Sequence, residues 1–73
     1  MKKGDRVEVR FLADPGKQIV GIQLGWISHI GVTRIEVEIP ALSGAITLSV
    51  ERSWLMPNGP DQWILEQLSV KVP

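Results

Sequence analysis

The segment that decides the fold is residues 20–30, which read VGIQLGWISHI. Apolar side chains occupy alternate positions through its first part and return at its last residue: Val20, Ile22, Leu24, Trp26 and Ile30. Successive side chains of a strand point to opposite faces, so a period of two indicates a β-strand that buries one face. The pattern predicts that this row, including Trp26, belongs to the core. It places Ile19 and Ile27 on the opposite face.

Three other segments alternate in the same way, namely residues 6–11, 34–39 and 45–50. Turn-forming residues separate the segments, most clearly Asp-Pro-Gly-Lys at 14–17 and Pro-Asn-Gly-Pro at 57–60. Proline presets its own φ and glycine accepts a positive φ, so both favour tight turns. The chain therefore predicts several short strands and an all-β protein.

The segment at residues 61–68 is compatible with two structures. A helix would begin at Asp61, whose carboxylate can cap the first turn. A strand would instead pair with the segment that precedes residues 57–60, which we call the proline-glycine loop. The alternating residues Leu68, Val70 and Val72 favour the strand.

Five or six short strands in a chain of 73 residues predict one domain, spanning residues 1–73. Gly21 and Gly25 lie within the longest strand segment, where glycine often marks a bulge or a sharp bend. We therefore expect a small, strongly bent antiparallel sheet that closes into a barrel. The opening residues 3–9, KGDRVEV, resemble the first strand of SH3-like barrels, including KOW-type modules. This resemblance implies an SH3-like fold and assigns no functional residue.

Composition narrows the class of protein. The chain has no cysteine, which removes disulfides and thiol chemistry and favours a reducing, cytoplasmic location. No apolar run approaches the roughly 20 residues of a membrane-spanning helix, and no signal-peptide core follows the first residues. Eight basic and eight acidic residues give a net charge of zero. A protein that neutralises many phosphates usually has a basic excess, so nucleic acid is not the favoured partner.

The candidate binding residues are apolar. Trp54 and Trp63 flank the proline-glycine loop, where they either form a binding edge or pack on each other. Ile19 and Ile27, on the supposed solvent face of the long strand, indicate an interface with a partner or with a second copy. A strong strand twist that places both faces against protein is the alternative explanation.

The sequence gives little support for catalysis. His29 is the only histidine, and without cysteine it has no ligand set for a transition metal. Glu36 and Glu38 alternate with apolar residues as an ordinary solvated strand face does. We therefore expect no cofactor and no metal, and no catalytic residue is assigned.

The sequence favours a small protein-binding or assembly subunit, with a protein partner or itself as a homo-oligomer. The first alternative is nucleic-acid binding through Lys3, Arg6, Arg10 and Lys17 near the N-terminus. The second is an oligomeric enzyme whose site lies at a subunit junction.

Overall fold

The computed structural model describes residues 1–13 and 18–68. Within these residues the chain forms six strands and one short 3₁₀ helix. In chain order they are β1 (Arg6–Ala13), β2 (Gln18–Ile30), β3 (Arg34–Ala41), β4 (Gly44–Glu51), the 3₁₀ helix (Arg52–Trp54), β5 (Leu55–Pro57) and β6 (Gln62–Leu68). The prediction of an all-β protein is confirmed, and the segment after the proline-glycine loop is a strand rather than a helix.

The six strands form one sheet in the order β4-β3-β2-β1-β6-β5. β6 runs parallel to β1, whereas the other neighbouring strands are antiparallel. The expectation of a purely antiparallel sheet is therefore wrong. The loop after Pro57 reverses the chain between β5 and β6, so β6 reaches the free side of β1 in the same direction as β1. Among the described residues β4 and β5 are the two edges, and no ladder joins them, so the expected closure into a barrel is not found.

β2 changes its neighbour at a sharp bend. Its first part, up to Trp26, pairs with β1, and its last part, from Trp26 onward, pairs with β3. At the bend Gly25 is buried, and an ideal Cβ there would lie 2.2 Å from the carbonyl oxygen of Glu38. Only glycine leaves room for the β3 backbone to pass this close. Gly25 thus permits the close approach of β3 to β2.

The core lies on the inner face of the bent sheet and takes side chains from all six strands. Its members are Val7, Val9, Ile27, Ile35, Val37, Ile39, Val50, Leu55 and Leu65. Burying one such side chain contributes roughly 1.5–3 kcal/mol relative to leaving it exposed. This inner face fixes which side of each strand points away from the core.

The structure corrects the assignment of faces on β2. Val7 pairs with Gly25 and Val9 with Gln23, so the inner face of this part of β2 carries glycine and glutamine. The apolar row that the sequence analysis placed in the core, including Trp26, points outward instead.

The same correction applies to Ile27, which is 1% exposed and belongs to the core. A β-bulge between Ile27 and His29 shifts the register, so that Ser28 has no partner in the ladder and Ile30 also packs against the core. The extra residue breaks the period of two across which the faces were assigned. Ile19 is exposed, and it pairs with Leu12 beyond a further register shift between Phe11 and Leu12, so it does not share the face of Ile27.

Candidate functional site

A row of exposed apolar side chains runs along the outer face of β2: Val20, Ile22, Leu24 and Trp26. Their exposure ranges from 37% at Trp26 to 67% at Leu24. Together they expose on the order of 400 Å² to solvent, which is within the range of the largest apolar patch on a typical monomer. We call these four residues the β2 row.

A groove of about 520 Å³ adjoins the Leu24 and Trp26 end of the β2 row. Arg6 pairs with Trp26 on one side and with Gln62 on the other, so these three residues lie side by side across β2, β1 and β6. Pro40 adds a further apolar wall. The volume falls in the range of ordinary ligand and peptide-side-chain pockets. The groove can hold an apolar side chain while Arg6 and Gln62 provide hydrogen-bond donors.

The floor of this region carries alternating charges from β1. Arg6, Glu8 and Arg10 share the outer face, and Arg10 Nε donates a hydrogen bond to a carboxylate oxygen of Glu8. Within the described part of the chain Arg6 makes no ion pair. Its guanidinium is therefore the cation of this face that is open to a carboxylate or carbonyl of a bound molecule.

The first part of β2 also has a free backbone side. The ladder with β3 begins at Trp26, so residues 18–25 pair with β1 alone among the described strands. Next to this side lies a cleft of about 340 Å³, lined by Phe11, Gln23, Ile39, Pro40, Ala41, Ile46 and Leu48. A strand edge of this kind can accept the backbone of an extended segment, with alternate side chains falling on either face.

The two tryptophans proposed from the sequence lie at different clefts. Trp63 is half-buried against the core and belongs to the groove described above. Trp54 lies on the 3₁₀ helix, is 47% exposed, and lines a shallow cleft with Met56 and Glu66. The structure does not bring them into one binding edge. Trp26, which the sequence analysis assigned to the core, lies in the groove with Trp63 instead.

The indole of Trp63 has a structural partner that the sequence analysis missed. Its Nε1 donates a hydrogen bond to a carboxylate oxygen of buried Asp5 at 3.0 Å, and the backbone N–H of Lys2 donates to the same oxygen at 3.0 Å. The indole N–H stabilises the carboxylate, so the pKa of Asp5 lies below its usual value although burial opposes the shift. This contact fastens the N-terminal residues to β6. A buried aspartate just before a strand gives no signal of its partner, which is 58 residues away in the sequence.

The basic residues of the alternative hypothesis are dispersed and accompanied by acids. Lys3 and Arg6 border a cleft that also contains Asp5 and Asp61, and Arg10 is paired with Glu8. Lys17 lies outside the described residues. Over residues 1–13 and 18–68 no group of three or more potential metal ligands lies together.

The described residues include no helix long and apolar enough to cross a membrane. The sequence matches no protein-family model, and neither a curated protein nor a solved structure matches it.

Proposed function

We propose that this protein is a small protein-binding module that has no catalytic activity of its own. Its binding surface is the β2 row with the adjoining groove, and its partner is an extended, partly apolar segment of another protein. The observation that carries the proposal is the exposure of four apolar side chains in sequence on one strand face, while the inner face of the same sheet holds a separate core.

The size of the β2 row supports binding of moderate strength. Burying about 400 Å² at about 25 cal/mol per Å² yields roughly 10 kcal/mol before the costs of association are subtracted. Those costs are on the order of 4–15 kcal/mol, so apolar burial alone gives little net affinity. The polar groups beside the row, above all Arg6 and the free backbone side of β2, supply the remainder and select an extended ligand.

We infer further that the sheet is an incomplete barrel of the SH3-like type. Two features support this inference: the opening residues 3–9 and the sharp bend of β2 at Gly25, which brings β3 across its inner face. An incomplete closure leaves the first part of β2 unpaired on one side, and the proposed ligand would complete it.

The proposal is tested by panning a random-peptide library against the immobilised protein and measuring Kd for the selected peptides. Leu24→Lys is the variant of choice because Leu24 is exposed and lies opposite Glu8, which also binds Arg10, so we expect the variant to fold. Val32→Lys is the matched control, since Val32 is 92% exposed in the turn before β3. We expect alternating apolar peptides that lose at least about tenfold in affinity with Leu24→Lys, equivalent to about 1.4 kcal/mol.

Binding by Val32→Lys should equal that of the original protein. Selected peptides that bind Leu24→Lys as tightly as the original would show that the β2 row is not the binding surface. A library that yields no specific peptide would contradict the extended-ligand proposal itself.

A further inference from the structure

β4 is a long edge strand. All eight of its residues pair with β3, and the ladder contains no register shift. Because β4 is the end of the sheet order, the backbone groups on its other side have no ladder partner among the described residues. Such a row of N–H and C=O groups is a template for another strand.

β4 itself carries few of the devices that usually protect an edge strand, and the Arg34 guanidinium, which binds Ser49, is the charge that lies beside it. Residues 44–50 read GAITLSV, with no charge and no proline, and the strand has no bulge. The opposite edge differs, because β5 has only three residues and ends at Pro57. Short length and proline both discourage pairing at an edge. β4 is therefore the edge open to a further strand.

The register with β3 identifies the residues whose backbone groups point away from β3. Pro40 has no N–H and pairs with Ala45, so this pair is not hydrogen-bonded and the backbone groups of Ala45 lie on the free side of β4. Backbone groups alternate sides along an antiparallel strand, which places those of Thr47 and Ser49 on the free side as well. The Ser49 carbonyl accepts a hydrogen bond of 2.7 Å from the guanidinium Nη2 of Arg34. The Ser49 carbonyl has a second lone pair and can accept another bond.

We propose that the occupant of this edge is β4 of a second copy of the chain, paired antiparallel about a two-fold axis at Thr47. The uncharged residues 44–50 are centred on Thr47, so every uncharged position of one chain faces an uncharged position of the other. This pairing sets Ala45 opposite Ser49 of the second copy and Thr47 opposite itself, which uses the backbone groups on the free side of both strands.

The same register accounts for an exposed side chain. Ile46, on the inner face of β4, is 54% exposed. The register sets it opposite Leu48 of the second copy, and the two-fold axis forms this pair twice. Cross-strand apolar pairs of this kind stabilise a sheet. The zero net charge of the chain adds no general repulsion between copies. The dimer surface does not include the four residues of the β2 row, because β3 lies between β4 and β2. It meets the cleft beside the free side of β2, which Ile46 and Leu48 also line.

Light scattering coupled to size exclusion, over a hundredfold range of protein concentration, tests the proposal. We expect a species of twice 8.1 kDa that dissociates on dilution. Thr47→Lys and Thr47→Glu should each be monomeric, because two like charges would then lie directly opposite each other. An equimolar mixture of the two variants should recover the dimer mass.

Thr33→Lys, in the turn before β3, is the matched control and should remain dimeric. Circular dichroism verifies folding of each variant. Thr47 lies opposite Glu38 of β3, so a lysine at this position faces a carboxylate, and Thr47→Lys is the decisive variant if Thr47→Glu unfolds. A monomer at every concentration, or a dimer unaffected by Thr47→Lys, would overturn the proposal. Folded single variants that are monomeric but do not combine would overturn the pairing at Thr47. A dimer that is lost only in Leu24→Lys would instead assign self-association to the β2 row.

Discussion

Replacing Gly25 with alanine is expected to destabilise the protein strongly. The new Cβ would lie 2.2 Å from the Glu38 carbonyl oxygen and 3.1 Å from its carbon. Both atoms belong to the backbone, so no side-chain rotation can relieve the overlap, and β3 must move away from β2. Overpacking of this kind costs about 1–3 kcal/mol, and we expect the upper end because the β3 backbone itself must shift.

Gly21→Ala provides a matched control on the same face of the same strand. An ideal Cβ at Gly21 lies 4.0 Å from the nearest atom, Phe11 Cδ2, which is ordinary van der Waals contact. Alanine also restricts the unfolded chain more than glycine does, so this variant should be neutral or more stable by up to about 1 kcal/mol.

The assay is urea unfolding of both variants, followed by tryptophan fluorescence, with thermal unfolding in parallel. A domain of this size loses about 4–8 °C in Tm per kcal/mol, so Gly25→Ala should unfold roughly 12–24 °C below the original protein. If the two variants unfold within about 0.5 kcal/mol of each other, a difference no larger than that of ordinary surface substitutions, the crossing of β3 over Gly25 does not occur as described.

Two further predictions concern the N-terminal contact and the corrected face of β2. The pKa of Asp5 is lower in the folded chain than the usual value of 3.8, so the ionised carboxylate stabilises the fold above pH 3.8. This contribution is lost as the pH falls below 3.8 and through the pKa of the folded chain. Trp63→Phe removes the indole N–H that binds the ionised carboxylate of Asp5. The difference in urea midpoint between this variant and the original protein should therefore be smaller at pH 3 than at pH 6. An unchanged difference would contradict the contact. Ile27→Glu should cost at least about 3 kcal/mol, because it buries a charge, whereas Ile19→Glu should change the free energy of unfolding by less than about 0.5 kcal/mol. Equal effects of these two substitutions in urea unfolding would restore the face assignment made from the sequence.

Local pattern was sufficient to locate the strands other than β5, which was not expected as a separate strand. The expected segment at 34–39 lies within β3, and the one at 45–50 lies within β4. Alternation also favoured the strand at 61–68, where β6 is found. Strand positions follow from nearest-neighbour chemistry, namely the period of two and the turn residues between strands. The parallel pairing of β6 with β1 joins segments more than 50 residues apart, and no local pattern contains that information.

The candidate site was predicted less well, and the reason lies in β2. A period of two separates two faces but does not say which of them is buried. The face with Gly21, Gln23 and Gly25 looks too poor in apolar side chains for a core. The opposite face, which carries the β2 row, was therefore assigned to the core. The bend reverses this logic, because the backbone of β3 fills the space above Gly25. The bulge at Ser28 then returns Ile30 to the core in apparent phase with the outward row.

The corrected assignment of the β2 faces also explains why a chain with so small a core carries apolar residues on both faces of this strand. Val20, Ile22 and Leu24 contribute nothing to the described core, which is complete without them. Exposed apolar side chains reduce solubility, and polar residues at these positions would leave the described core in place. Their presence therefore calls for a reason outside the fold of one chain. Substituting all three by threonine separates the two roles, because the β-branched residue keeps the strand while removing much of the apolar surface. We expect unchanged or higher solubility and a free energy of unfolding within about 1 kcal/mol of the original, the span of strand propensities, together with loss of peptide binding. Loss of folding in this variant would show that the β2 row is part of the core and would remove the basis of the proposed function.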